Sequence, residues 1–212
     1  MKIAVLNEVS ACARNRDILF ALEAHAQITV LNLGMAHPDE QPQLTYLQTG
    51  IMAGVLLGVG ACDLVVGGCG TGQGFLNAAL QFPGVCCGLV ETPLDAWLFT
   101  QINGGNCISL ALNKGYGWAG DINLTYIVRE LLADPPGRGY PLERARSQRE
   151  SRDALGGISR AAHRALPDIL SSLDRTLLSP IAQSERFMAH LEGDERARRL
   201  ADIIRGRRVE LT

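Results

Sequence analysis

Asp63-Leu64-Val65-Val66-Gly67-Gly68-Cys69-Gly70-Thr71-Gly72-Gln73-Gly74-Phe75-Leu76-Asn77-Ala78-Ala79-Leu80 decides how this chain is read. An apolar run of strand length enters a glycine-rich turn, and a helix-length segment leaves it. Glycines let the backbone turn sharply and aim successive N–H groups at an oxyanion, with the positive end of the following helix behind them. The turn carries one thiol, Cys69. A thiol at a helix start tends toward thiolate, which removes a proton or attacks an electrophile. The competing reading is a small cysteine buried at a strand end in a loop that only turns.

Working outward, short β-rich runs alternate with helix-length segments over the first 133 residues, the signature of βα units around a parallel sheet. Strands are predicted at 2–6, 28–33, 63–67, 85–90 and 107–112, and helices at 15–26, 43–60, 74–81, 93–101 and 121–132. Thr92, Pro93 and Asp95 mark the start of the fourth helix as a variant capping box. Five apolar strands with helices between them imply a doubly wound sheet covered on both faces. Ligands of such sheets lie at the carboxyl ends of the strands. That edge collects Asn7, Glu8, His37, the Cys69 loop, Glu91 and the loop after strand five.

The 212 residues fit one α/β domain over 1–150 and a helical extension over 151–212. Asp134-Pro135-Pro136-Gly137-Arg138-Gly139-Tyr140-Pro141 is a turn-rich break, and the charged stretch 142–153 follows it. Beyond it, 154–172 and 179–205 have helical spacing, with Pro167 and Pro180 as punctuation. These amphipathic helices are too few for a large core of their own, so the extension is expected at a subunit interface. Twenty basic and 22 acidic residues leave a net charge of −2 and no charged tail, which speaks against nucleic acid or an anionic membrane as partner. No apolar stretch approaches the ~20 residues of a membrane span, and the opening Met1-Lys2-Ile3-Ala4-Val5-Leu6 reads as a strand, so a cytoplasmic protein is expected. The six cysteines lack paired spacing and histidine neighbours, so free thiols and no metal or other cofactor are expected.

The Cys69 loop, the Asn103-Gly104-Gly105-Asn106 segment leading into strand five, and the Gly137-Arg138 turn together resemble the type B ribose-5-phosphate isomerases, grouped with galactose-6-phosphate isomerases. The resemblance covers roughly residues 1–150. It implies a Rossmann-like three-layer αβα sandwich with a five-stranded parallel sheet, a homodimer with shared active sites, and metal-free aldose–ketose isomerisation through a cis-enediol. Carried over by position, Cys69 is the base and Thr71 assists ring opening or proton handling. Gly70, Gly72 and Gly74 line the enediolate hole, with Gln73 beside them. Asn103 holds the developing oxyanion, and Arg138, with Arg144, holds a phosphate. The chemistry agrees: moving a proton between adjacent carbons needs one base and donors that favour the enediolate over the carbonyl. Arginine suits phosphate through its planar fork.

Three departures stand beside the resemblance. Asn7-Glu8 replaces an Asp-His pair, placing a carboxylate where a phosphate contact is expected, or one that binds sugar hydroxyls. Ile102 replaces a ring-opening histidine, so another group opens the ring or the substrate is already open. Leu142 stands where a second phosphate arginine is expected, and Arg144 substitutes only if the turn shifts register. Outside the site proper, His37 and the arginine-rich helix read as surface. Glu91 either assists Cys69 or caps the next helix, and Trp118 either packs or stacks on a sugar. A dinucleotide fingerprint would need a glycine at Phe75 and a loop after the first strand. Three readings remain: an isomerase of a small, phosphorylated sugar; an isomerase of a non-phosphorylated one; and a sugar or sugar-phosphate binding protein without catalysis.

Overall fold

In the computed structural model, which describes residues 1–207, five parallel strands form one sheet: β1 (Lys2–Asn7), β2 (Thr29–Asn32), β3 (Leu64–Cys69), β4 (Cys87–Val90) and β5 (Cys107–Ala111). Their spatial order is β2-β1-β3-β5-β4. Side chains alternate across each strand. Ile3, Val5, Leu64, Val66, Ile108 and Leu110 point to one face, where α1 (Asn15–Glu23), α4 (Pro93–Leu98) and α5 (Gly120–Leu132) cover them. Ala4, Leu6, Val65 and Cys107 point to the other, under α2 (Tyr46–Gly58) and α3 (Gln73–Ala79). This is the expected three-layer sandwich.

The differences from the sequence reading lie mostly at element ends. Strand β3 runs two residues further than predicted, so Gly67, Gly68 and Cys69 are sheet residues in register with β5, and the turn proper begins at Gly70. The capping box at Thr92 is present, but the helix it starts yields at Phe99 to a π-helical turn ending at Asn103.

The extension departs further in its bounds. The arginine-rich stretch is the expected solvated helix, but α6 spans Ala145–Ala162 and so crosses residue 150. Arg, Gln and Glu are good helix formers, and the helix they make here is exposed. The segment predicted over 154–172 breaks at His163, and α7 (Leu166–Ser172) restarts with Pro167 in its first turn. Then follow α8 (Arg175–Gln183), which contains Pro180, α9 (Glu185–Gly193) and α10 (Arg198–Arg205). Residues 208–212 of the expected extension lie outside the described residues. Leu170, Leu178, Ile181, Phe187, Met188, Leu191 and Ile204 of these helices are fully buried in one core with Met52, Val55 and Leu56 of α2. Thus α7–α10 form a fourth layer on the α2 side of their own chain, whereas α6 has no buried residue and leaves Leu155 and Ile158 exposed. Among the described residues no helix is long and apolar enough to cross a membrane.

Candidate active site

Strand β1 has β2 on one side and β3 on the other, so the crevice at the carboxyl ends of β1 and β3 is the switch point of the sheet. Glu8 follows β1, Cys69 ends β3, and both are buried, at 3% and 6% exposure. The loop between Cys69 and α3 is held from several sides. The Cys69 carbonyl accepts from Leu112 N–H at 3.0 Å, and the Gly70 carbonyl accepts from the amides of Asn113 and Lys114 at 3.0 and 2.8 Å. Ser109 Oγ donates to the Gly72 carbonyl at 2.5 Å. Gly72 itself has φ +76°, a conformation only glycine takes without strain.

Of the loop amides, Gly70 donates to Ser10 Oγ at 3.2 Å, Gly72 to the Cys69 carbonyl at 3.3 Å, and Gln73 to Thr71 Oγ1 at 3.3 Å. The Gly70 and Gly72 amides are thus engaged within the loop network. The amides of Thr71, Gly74 and Phe75, in the same turn as Cys69 and the helix start after it, find no acceptor among the described residues. The Cys69 thiol is 3.9 Å from the Thr71 hydroxyl, close enough for Thr71 to donate to a thiolate.

Glu8 does not face solvent. Its carboxylate accepts from the Ser10 hydroxyl, which in turn accepts from Gly70 N–H, so a buried charge is coupled to the first residue of the turn. Asn113 Nδ2 donates to the Ser10 carbonyl at 2.8 Å and closes this side. Asn7 is fully buried; its amide donates to Asn15 Oδ1 at 2.9 Å, and its own Oδ1 lacks a partner. Opposite, Tyr46 opens α2 after the Thr45–Gln48 capping box, and its ring lies on Gly74: a Cβ there would come within 2.9–3.1 Å of three ring atoms.

Glu91 neither reaches Cys69 nor caps a helix. It pairs with Lys114 at 2.7 Å, while Thr92 caps α4 and Asp95 closes its capping box by accepting from Thr92 N–H. The loop after β5 is pinned by Tyr116, whose hydroxyl donates to Asp17 at 2.5 Å while Arg14 lies 4.2 Å above its ring. Burial, then the Asp17 carboxylate, raises the Tyr116 phenol above its ordinary range. His37 is exposed, and Trp118 is wholly exposed.

Asn103 and Arg138 lie together, but not with Cys69. Gly137 N–H donates to the Thr100 carbonyl and Gly139 N–H to the Gln101 carbonyl, both at 2.9 Å, and Arg152 bridges the carbonyls of Ile102 and Gly137. This cluster stands at the amino end of β5, whereas Cys69 is in register with Ala111 at its carboxyl end. Five strand residues, roughly 16 Å, separate the two ends. Arg138 is exposed and pairs with Asp134, and Arg144 is exposed in the one-turn helix Leu142–Arg144. Within one chain the two clusters thus stand at opposite ends of β5. Among the described residues no group of His, Cys, Asp and Glu is arranged to hold a metal ion.

Sequence reasoning missed Ser10, Tyr46 and Asn113. Each has an ordinary local context, and only strand order brings it to the Cys69 loop; the polar residues next to strand ends were the available signal.

A family model described as ribose/galactose isomerase matches residues 3–136. Two solved structures resemble the chain along its whole length at 38% identity and a TM-score of 0.92, each covering 98% of this chain and 99% of the other: a 4-deoxy-L-threo-5-hexosulose-uronate ketol-isomerase complexed with a tartrate, and a ribose-5-phosphate isomerase from Vibrio parahaemolyticus. The type B ribose 5-phosphate isomerase of Trypanosoma cruzi shares the fold, with a TM-score of 0.65 at 18% identity over 77% of this chain and all of its own. No curated protein matches significantly.

Proposed function

This chain belongs to the ribose/galactose isomerase family, and from that premise we propose that it interconverts the aldose and ketose forms of a small open-chain sugar acid, with Cys69 as the base. The observation that carries the reading is the Cys69 thiol beside unoccupied loop amides at the switch point.

In the aldose-to-ketose direction the Cys69 thiolate takes the proton from C2. The charge that develops on O1 falls to the amides of Thr71 and Gly74, whose fixed dipoles favour the enediolate over the carbonyl. The thiol then returns its proton to C1, and the proton on O2 passes to O1, for which the Thr71 hydroxyl is placed 3.9 Å from the sulfur. Atoms balance and no electron acceptor is needed. Asn103 and Arg138, at the far end of β5, reach a Cys69 only from a second copy, so we take the working unit to be a homodimer with each site made of two half-sites.

The two chains similar to this one at 38% identity carry names with different substrates, a uronate and a sugar phosphate. Three features favour the uronate class here. A 4-deoxy-5-oxo sugar lacks both hydroxyls that close furanose and pyranose rings, so Ile102 in place of a ring-opening histidine costs nothing. Buried Glu8 beside the turn repels a dianionic phosphate more than a carboxylate. Arg138, already paired with Asp134, suits the weaker anion. The alternative of a phosphorylated pentose or hexose rests on that same arginine and its bidentate fork.

The test is deuterium incorporation at C1 or C2 in heavy water, followed by NMR, over 4-deoxy-5-oxo-hexuronate, ribose 5-phosphate, galactose 6-phosphate and free pentoses, with Cys69→Ala alongside. Exchange greatest with the uronate and lost in Cys69→Ala is expected. Greater exchange with a phosphorylated sugar overturns the substrate class, and none across the panel leaves a binding protein.

A further inference from the structure

Resting on the isomerase reading, we infer that Arg186, in the extension and outside the matched family segment, is a positioning residue for the reaction, tying down the loop that carries Tyr46 to the Cys69 turn. The loop between β2 and α2 is long and irregular, and such segments keep one conformation only where something outside holds them. Two ends of it are fixed by the sheet. Met35 N–H donates to the Asn7 carbonyl at 2.9 Å, and Gly34 lies so close to the Asn7 backbone that no Cβ fits. At the other end the Leu44 carbonyl accepts from Val9 N–H at 2.8 Å, immediately before the Thr45 cap and Tyr46.

Between these points, among the described residues, the hydrogen bonds from the extension come from Arg186, at the start of α9. Its guanidinium donates to the Gly34 carbonyl at 2.9 Å and to Glu40 at 2.6 Å, and Glu40 in turn accepts from Ala36 N–H at 3.1 Å. One nitrogen, Nη2, makes both bonds, so a single side chain joins both halves of the loop. Met35 and Leu44 are buried in the core, and a cavity of about 280 Å³ lined by them with Pro42, Gln183 and Arg186 opens beside the stretch between. Core packing therefore holds the ends of the loop, and the Arg186 hydrogen bonds hold its middle. The consequence reaches the chemistry along two paths: through Asn7 to Glu8 and Ser10, and through Leu44 to Tyr46 on Gly74.

The experiment compares Arg186→Ala, Arg186→Lys and Glu40→Gln in the full chain, by kcat and KM on the substrate found above, by thermal melting, and by amide hydrogen exchange over residues 34–46. In Arg186→Ala we expect kcat to fall about 10–100-fold with KM within about threefold, as for a small misplacement of reacting groups. Melting moves little because the pair is partly exposed. Protection is lost at Met35 and Ala36 and kept in the strands, and Arg186→Lys recovers part of kcat. Unchanged kcat with lost protection overturns the proposal, as does retained protection, or a kcat loss that merely follows a lower melting temperature. A wild-type chain that turns over nothing in the panel counts against the isomerase reading, and the protection pattern alone then decides whether Arg186 holds the loop.

Discussion

Cys69 is a small side chain at the edge of a core, so its removal separates chemistry from folding. Cys69→Ala should lower substrate deuterium incorporation by about 10²–10⁴-fold, the usual loss for a general base, with an unchanged circular dichroism spectrum and melting temperature. Gly72 acts the other way. A methyl group there meets Leu89 at 2.5 Å and the Ala111 amide at 3.2 Å in a left-handed conformation, so Gly72→Ala should cost about 1–3 kcal/mol in urea unfolding and activity with it. Cys62 carries a pH dependence. Burial, then the Asp63 carboxylate, pushes its thiol from 9.0 up to about 12. The folded chain keeps a proton that the unfolded chain releases, so this contribution to stability is fully present below about pH 9 and is lost as pH rises toward 12. Urea unfolding at about pH 8 and about pH 11 should show the fall, and Cys62→Ala should shrink it without abolishing it, since burial raises Cys107 as well.

Elements differ in how far sequence exposes them. The β3–α3 unit was legible because an apolar run, a glycine-rich turn and a helix are all local signals, and the carboxyl end of the predicted strand erred only where Gly68 and Cys69 continue the sheet. The extension was legible as helices but not as a layer. Its apolar positions do not say what they face, and α2, buried from Gln48 through Leu56, needs two covers: the sheet on one side and α7–α10 on the other. Ser10, Tyr46 and Asn113 were hidden for a related reason, since their meeting at one turn depends on the strand order and not on their neighbours in sequence. The layer makes its own prediction. Phe187 is fully buried between the extension helices, and Phe187→Ala should cost about 3–5 kcal/mol in urea unfolding, a change expected to lower the melting temperature of the whole chain because both parts share one core.

At the scale of the molecule, the division of site residues between the two ends of β5 sets what an assembly must do. The proposed dimer predicts complementation. Cys69→Ala and Asn103→Ala chains, each inactive alone, should recover about one quarter of wild-type activity when unfolded together and refolded, because half of the dimers are mixed and each mixed dimer holds one intact site. No recovery would place both groups in one chain's site. Leu155 and Ile158 are exposed on α6, a helix with no buried residue, which makes that helix the first place to seek the contact. In the proposed dimer, with the thiol on one strand end and the amide on the other, catalysis is a property of concentration. Dilution then separates well-folded chains from their complete sites, so turnover per chain should fall on dilution while the spectrum of the fold stays constant, and the midpoint of that fall measures how tightly two copies hold each other.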